Sequence, residues 1–204
     1  MRLQRKQGFY EKYIKRVLDI VCSILFIIGF SWLYVIIAVV VKIKMGSPVI
    51  FKQPRPGIVK NGKETIFDMF KFRSMTDERD ESGELLPDHH RLPKFGAFLR
   101  STSLDELPQM FNVLNGTMAI IGPRPILDWE WDEYKDNKRF AKRYDVLPGF
   151  FCTIDLVNRA ALREDQFEAD AAYADNLSFW LDVKTFFSVI APVLKGSHVY
   201  RDER

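Results

Sequence analysis

Residues 20–41 read IVCSILFIIGFSWLYVIIAVVV, a run without a charged side chain. As a helix, this run extends roughly 33 Å, which is the thickness of the hydrocarbon core of a bilayer. A signal peptide has a shorter apolar core and a small-residue cleavage site, whereas Lys42 and Lys44 follow here. The alternative is a buried helix in a soluble core, but such helices seldom run this long without a charge. The run therefore predicts a membrane-inserted helix.

Basic residues stand on both sides of this run. They are Arg2, Arg5, Lys6, Lys12, Lys15 and Arg16 before it, and Lys42, Lys44, Lys52 and Arg55 after it. Because basic flanks favour the cytoplasmic side, a helix that crosses once satisfies the pattern at one end, whereas a re-entrant segment satisfies it at both. No proline marks a bend, but Gly29 and Ser31 lie near the centre, and such pairs can kink helices. The charges favour a re-entrant segment, with a straight single-pass helix as the alternative.

Length and composition fit one folded domain attached to a membrane segment. We place the membrane segment at residues 1–45 and the folded domain at residues 46–204. The formal net charge of +3 is spread along the chain, so the concentrated basic stripe of a nucleic-acid-binding protein is missing. Cys22 and Cys152 have no metal-ligand spacing, and we expect both to be buried, reduced thiols.

Local patterns predict a mainly helical α+β fold with a small β-hairpin. Asn61-Gly62 is a two-residue hairpin signal, residues 66–73 alternate as a strand does, and residues 54–57 have the composition of a loop. The predicted helices lie at residues 95–115 (with a break at 100–103), 129–144 and 177–194. The apolar face of the last one is typical of a core helix or of an amphipathic helix at a membrane interface.

An acidic pair, Asp105-Glu106, follows Ser103 closely. Ser103 with Glu106 three residues later is a capping-box pattern, and taken alone this structural explanation is the better one. The same geometry also supports chemistry, because a helix N-terminus favours anions, keeps Asp105 ionised and attracts a phosphate. An ionised carboxylate can attack phosphorus and form an acyl phosphate.

Phosphoryl transfer also needs cations around the non-bridging oxygens of the transferred group. The candidates are Lys71, Arg73, Arg100 and Arg124, and each has the alternative explanation of a solvated surface charge. No Ser-His-Asp or Cys-His arrangement can be assembled from the three histidines, at positions 89, 90 and 198. Asp105 is therefore the best candidate for a nucleophile.

Short blocks of sequence run in a defined order along nearly the whole chain. They are Lys15–Asp19, Gly46–Phe51, Lys71–Met75, Asp77–Asp80, Phe95-Gly96, Leu99-Arg100, Ser103–Gln109, Asn112–Leu114, Gly116, Met118, Gly122–Pro125, Tyr173, Asn176, Ser178 and Leu181–Lys184. This ordered set resembles the minimal catalytic unit of the bacterial monotopic phosphoglycosyl transferases. No single block decides the resemblance, but the set in its order is very specific.

The resemblance implies an enzyme that moves a sugar-1-phosphate from a nucleotide sugar, UDP-linked, to polyprenol phosphate, which is undecaprenyl phosphate in bacteria. It implies that Asp105 is the nucleophile and carries the phosphosugar as a covalent intermediate. Glu106 is then its dyad partner, and Lys71, Arg100 and Arg124 hold phosphates. A Mg²⁺ ion is implied at Asp105 and the diphosphate.

The resemblance also implies a location and partners. The membrane segment is expected to be re-entrant in the bacterial inner membrane, surrounded by membrane lipid. Residues 46–204 are then a catalytic domain on the cytoplasmic face, and downstream glycosyltransferases are expected partners in glycoconjugate synthesis.

Two stretches depart from the family pattern. Ser31-Trp32 stands where the family has Ser-Pro at the bend. Residues 150–159 diverge from a stretch that the family uses in nucleotide-sugar recognition, and Asn158 and Arg159 are retained, which makes Arg159 a candidate for donor binding. This divergence keeps open a second hypothesis, a non-catalytic membrane relative that binds lipid or partner glycosyltransferases, although the intact Asp105-Glu106 pair argues against it. A membrane-anchored binding protein of another kind leaves the ordered blocks unexplained.

Overall fold

The N-terminal apolar run folds into two helices that meet at a sharp bend. The computed structural model describes residues 7–60, 63–127, 133–134, 136–153 and 163–194. A π-helical turn, Tyr10–Lys15, leads into α1, Arg16–Gly29, and α2 covers Ser31–Met45. The two helical arms are bent by 63°. The break lies between Gly29 and Ser31, where the sequence predicted it.

The bend arises because Phe30 leaves helical geometry, with φ −103° and ψ 11°. Its carbonyl accepts hydrogen bonds from the N–H groups of Leu33 and Tyr34, and α2 starts from there in a new direction. Among the described residues no single helix is long and apolar enough to cross a membrane, whereas the bent pair passes that test as one unit. The straight helix is therefore wrong, and the re-entrant path stays a prediction.

The bent helix pair has one face in the protein core and a large apolar face outside it. Ile37 and Val41 are buried against Phe72, Leu99 and Leu107. The exposed apolar side chains of the pair include Val17, Val21, Leu25, Ile28, Trp32, Val35, Ile36, Val39 and Ile43. Soluble proteins rarely expose contiguous apolar patches of this extent, so the outer face is suited to lipid or to a partner.

A β-hairpin follows the helix pair. Strand β1, Ile50–Lys60, pairs antiparallel with β2, Lys63–Phe72, which confirms the predicted hairpin, while its tip, residues 61–62, lies outside the described residues. The prediction of a loop at residues 54–57 is wrong, because β1 runs through them. Pro54 and Pro56 fit there because β1 is an edge strand and two prolines two residues apart can both direct their nitrogens away from β2.

Short helices and a second sheet complete the fold. The helices are α3, Asp88–Arg91, α4, Lys94–Ser101, and α5, Gln109–Asn115, with a 3₁₀ turn at Leu104–Glu106 between the last two. The predicted break in the 95–115 region is confirmed. Strands β3, Ala119–Gly122, and β4, Gly149–Cys152, pair in parallel, a sheet that the sequence did not predict. A Cβ on Gly149 would come within 2.0 Å of the Gly122 nitrogen, so the sheet needs glycine there.

The C-terminal half differs from its prediction in two places. In the described part of the predicted 129–144 helix, residues 133–134 are helical, and a short α6, Lys138–Ala141, and a 3₁₀ turn, Lys142–Asp145, follow separately. The long helix is wrong there because Asn137 has an extended backbone and its side chain caps α6. Helix α7, Arg163–Asn176, was not predicted, whereas α8, Phe179–Leu194, was. The described chain is thus α+β, mostly helical with two small sheets.

Two basic residues of the N-terminal flank serve the fold. The Lys15 Nζ lies 2.6 Å from Asp182 Oδ2, with both side chains at most 10% exposed. The Arg16 guanidinium donates to the carbonyls of Val113 (2.6 Å) and Leu114 (2.8 Å), near the C-terminus of α5. Because Lys15 and Arg16 have partners inside the protein, fewer basic residues of the N-terminal flank remain to favour the cytoplasmic side of a membrane.

The two thiols are free but lie in different environments. Cys152 is buried in β4, which confirms the prediction that this thiol is buried. Cys22 is exposed on α1, so the prediction that it is buried is wrong. Its exposure follows from the outward direction of that part of α1.

Candidate active site

The acidic pair lies on the 3₁₀ turn Leu104–Glu106, which we call the catalytic turn. Ser103 before it has a left-handed backbone, with φ 55° and ψ 18°, and its side chain makes no capping hydrogen bond. The predicted capping box is therefore wrong, because Glu106 contacts Lys71 and α5 begins only at Gln109. Asp105 thus precedes the helix instead of starting it.

Glu106 is held by Lys71 of β2. The Lys71 Nζ donates to Glu106 Oε1 at 3.1 Å, and the two side chains are 20% and 27% exposed. Burial raises the pKa of Glu106, but the charges of Lys71 and Arg124 outweigh burial, so the pKa lies below its ordinary value. Glu106 is therefore a fixed anion at neutral pH.

Asp105 is a buried carboxyl with the opposite shift. Its residue exposure is 7%, and burial, followed by the charge of Glu106, raises its pKa from 3.8 to about 6 against the lowering effect of Lys71 and Arg100. The sequence predicted that a helix N-terminus keeps Asp105 ionised, but desolvation outweighs the nearby cations and raises its pKa. At pH 7 roughly nine-tenths of the carboxyl is still ionised. Divergent pKa values in an adjacent pair are typical of functional sites.

The predicted cations take different positions. Arg100, on α4, is exposed and its Nε donates to Ser74 Oγ at 3.0 Å, while Arg124 is exposed just after β3. Together with Lys71, these two act on the charges of the acidic pair. The structure therefore brings Lys71, Arg100 and Arg124 into the electrostatic neighbourhood of Asp105 and Glu106.

Arg73 has local partners instead. Its side chain is 9% exposed and pairs with Asp77 at 2.5 Å. Its Nε and Nη1 donate to the carbonyls of Met75 (2.9 Å) and Ser47 (2.8 Å). These contacts give the Arg73 guanidinium a structural role in holding neighbouring segments together. Its role in phosphate binding stays a prediction. Arg159 lies outside the described residues.

Sequence reasoning missed Arg55 as a site residue. It is buried on β1, and its charge lowers the pKa of Glu106. Cross-strand pairing places residues 51, 53 and 55 on the same face as Lys71. Gln53 Oε1 accepts a hydrogen bond from Arg55 Nη2 at 2.7 Å, on the side toward Lys71. If residues 54–57 had been predicted as a strand paired with residues 66–73, Arg55 would have been placed near Lys71.

Asn112, which belongs to one of the ordered sequence blocks, connects two parts of the site. Its Oδ1 accepts from the Phe70 N–H at 2.9 Å, and its Nδ2 donates to the Asp68 carbonyl at 2.7 Å. It is 1% exposed. Asn112 thus fixes α5, which follows the catalytic turn, to β2, which carries Lys71.

An apolar groove lies beside the catalytic turn. Its volume is about 410 Å³, and it is lined by Ile50, Lys52, Phe70, Pro108, Phe111 and Asn115. Pro108 follows Glu106 by two residues, so one wall of the groove is close in sequence to the acidic pair. An apolar groove next to charged side chains suits a substrate that has an apolar part and a charged part.

The described residues contain no cluster of three or more His, Cys, Asp or Glu side chains that would hold a metal by themselves. Mg²⁺ does not require such a cluster, because it is usually bound through one or two carboxylates together with substrate phosphates and water. Asp105, whose pKa is raised by burial and by a neighbouring carboxylate, is a donor of this kind. The residues present therefore fit a Mg²⁺ ion that arrives with a diphosphate.

Comparison with known proteins identifies relatives along nearly the whole chain. The family described as Bacterial sugar transferase matches residues 10–196. An uncharacterized sugar transferase of Bacillus subtilis, EpsL, is 42% identical over 182 residues, which are 89% of this chain and 87% of the relative. These matches confirm the predicted family.

Two relatives with named reactions are longer proteins. The UDP-glucose:undecaprenyl-phosphate glucose-1-phosphate transferase of Klebsiella pneumoniae is 37% identical over 86% of this chain and 39% of its own length. The UDP-N-acetylgalactosamine-undecaprenyl-phosphate N-acetylgalactosaminephosphotransferase of Aeromonas hydrophila is 35% identical over 90% of this chain and 44% of its own length. This chain therefore spans less than half the length of these two relatives.

Proposed function

Because this chain belongs to the bacterial sugar transferase family, we propose that it transfers a sugar-1-phosphate from a UDP-sugar to undecaprenyl phosphate. The products are undecaprenyl-diphosphate-sugar and UMP. Two relatives are named for this kind of reaction, with UDP-glucose and UDP-N-acetylgalactosamine. The observation that carries the proposal is the buried Asp105 carboxyl beside the ion-paired Glu106, close to the positive charges of Lys71 and Arg100.

In the first half-reaction, an ionised oxygen of Asp105 attacks the β-phosphorus of the UDP-sugar. The bond between that phosphorus and the oxygen bridging to the α-phosphate breaks, and UMP leaves with the electron pair. The sugar phosphate stays on Asp105 as an acyl phosphate. Burial suits this role because a desolvated carboxylate loses less hydration as it approaches phosphorus.

In the second half-reaction, a phosphate oxygen of undecaprenyl phosphate attacks the same phosphorus. The bond to the Asp105 oxygen breaks, and the carboxylate is regenerated. The apolar groove beside Pro108 and Phe111 suits the lipid acceptor. A covalent intermediate lets a soluble donor and a lipid acceptor use one site in turn, so the kinetic scheme is ping-pong.

Cations stabilise the charge that develops on the transferred group. Lys71, Arg100 and Arg124 supply fixed positive charge, and Glu106, ionised by its neighbours, holds the Lys71 amine in position. Arg159 is proposed to contact the donor. A Mg²⁺ ion held by Asp105 and the diphosphate would neutralise the leaving group when bound.

We place the site at the cytoplasmic face of the bacterial inner membrane. The bent helix pair enters the lipid and returns, so that both its ends face the cytoplasm. The exposed aromatic side chains of α8, Phe179, Trp180 and Phe187, lie at the membrane interface. Membrane lipid is then the environment of the chain, and downstream glycosyltransferases are its partners.

Intact-mass measurement of the full chain tests the covalent step. With UDP-sugars and Mg²⁺ but no lipid, the wild type is expected to release UMP once per chain and to gain the mass of a sugar phosphate on Asp105. Asp105→Asn should gain none, while Asp136→Asn, an exposed control, should behave as the wild type. UMP release that requires both substrates together would indicate direct displacement. No release with any donor would favour the non-catalytic hypothesis.

A further inference from the structure

The bent helix pair reaches the catalytic turn through Tyr34 of α2. The Tyr34 hydroxyl donates to the main-chain carbonyl of Leu107 at 2.6 Å, and Leu107 directly follows Glu106. The same carbonyl accepts the Met110 N–H at 3.0 Å, in the first turn of α5. Tyr34 therefore adds a second donor at the point where the catalytic turn passes into α5.

Other parts of the site hold the Tyr34 ring. Its centroid lies 6.0 Å from that of Phe72 on β2 and 5.7 Å, edge to face, from that of Phe111 on α5. Phe72 follows Lys71, and Phe111 lines the apolar groove. The ring thus touches the strand and the helix on either side of the catalytic turn, and its hydroxyl has a defined direction.

We propose that Tyr34 is a positioning residue that holds the catalytic turn from the membrane-inserted helix pair. It acts through the Leu107 carbonyl, which sets the orientation of the adjacent Asp105 and Glu106. This inference rests on the proposed function for its kinetic consequence. A misplacement of about 1 Å at a reacting centre can lower a rate by roughly a hundredfold, so one hydrogen bond to this turn matters for catalysis.

Tyr34→Phe tests this role because it keeps the ring and removes only the hydroxyl. Tyr10→Phe is the matched control: its hydroxyl donates to Asp182 at 2.8 Å, from the same N-terminal segment. In nanodiscs containing undecaprenyl phosphate, Tyr34→Phe is expected to lower kcat by about tenfold or more with little change in the KM of the UDP-sugar. Tyr10→Phe is expected to keep kcat within about twofold of the wild type.

Amide hydrogen exchange gives a second measurement that needs no activity. In Tyr34→Phe, exchange is expected to accelerate at residues 104–111, and in Tyr10→Phe it should stay as in the wild type there. Equal kcat values for the two variants, or unchanged exchange at residues 104–111 in Tyr34→Phe, would overturn the inference. If the wild type releases no UMP from any UDP-sugar, the proposed function fails, and the exchange data still show whether Tyr34 holds the turn.

Discussion

Asp105 and Glu106 are neighbouring carboxyls with similar intrinsic acidity, but the folded protein shifts their pKa values in opposite directions. Glu106 lies next to Lys71 and in the field of Arg124, and its pKa falls. Asp105 is 7% exposed and has the Glu106 charge beside it, and burial is the largest cause that raises its pKa to about 6. The charged form of Asp105 is therefore unfavourable in the folded protein, although the proposed chemistry requires it. Such a cost to stability is common where a site is built for reaction.

We expect Asp105→Asn to be more stable than the wild type at pH 8. Because the folded-state pKa of Asp105 is raised above 3.8, its contribution to stability is fully present below about pH 4 and is lost as the pH rises through about 6. Asparagine does not titrate, so the free energy of unfolding at pH 8 should increase by about 1–2 kcal/mol, and the difference should shrink toward pH 5. Denaturant unfolding in detergent at both pH values measures it. The exposed Asp136→Asn is the control for the loss of one surface carboxylate, and an unchanged stability of Asp105→Asn at pH 8 would contradict the burial argument.

At the scale of elements, the site is a junction between β2, the catalytic turn and α5. β2 supplies Lys71, the turn supplies the acidic pair, and Asn112 of α5 replaces the missing strand partner of β2 with its two side-chain hydrogen bonds. The Asp68 carbonyl and the Phe70 N–H lie two residues apart on the edge of β2 that contacts α5. One amide side chain can therefore accept from the N–H and donate to the carbonyl at the same time. The distance between Lys71 and Glu106 therefore depends on Asn112.

Asn112→Ala is expected to destabilise the protein by about 2–3 kcal/mol, because it leaves the Asp68 carbonyl and the Phe70 N–H without this partner in a buried position. It should also lower kcat, since β2 and α5 are no longer fixed to each other. Asn176→Ala is the control: its exposed side chain bonds to the Ala172 carbonyl within α7, and a change below about 0.5 kcal/mol is expected. Thermal unfolding and UMP release measure the two effects. A loss in Asn112→Ala no larger than in the control would show that the junction does not depend on this side chain.

At the scale of the whole molecule, the helix pair is part of the protein core and not a separate anchor. Ile37 and Val41 pack on β2, α4 and the catalytic turn. Asp19 Oδ1 accepts the Ile120 N–H at 2.9 Å, and Lys15 pairs with Asp182. The proposed membrane insertion and the shape of the site therefore involve the same helices, and the hydrogen bond from Tyr34 to Leu107 is a direct link between them.

Labelling of single cysteines tests the re-entrant path. In a Cys22→Ser background, Lys12→Cys and Lys63→Cys introduce thiols at exposed positions before and after the helix pair, while the native Cys152 is buried. A membrane-impermeant maleimide should label both sites in inverted inner-membrane vesicles and neither in intact spheroplasts, because both basic flanks are expected in the cytoplasm. Labelling of the Lys12 site from outside would show that the chain crosses the membrane.

The sequence alone determined those features that neighbouring residues encode. The uncharged run, the β1–β2 hairpin and the ordered blocks around Asp105 all depend on local patterns, and they indicated the membrane segment and the family. Gly29 and Ser31 marked the place of the bend, but a straight helix stayed an alternative until the structure gave the angle of 63°. Only the tertiary structure decided which charges are used inside the protein and which carboxyl is desolvated. Lys15 meets Asp182 across 167 residues and Lys71 meets Glu106 across 35. Burial and pKa depend on such distant neighbours, and no local pattern of residues carries that information.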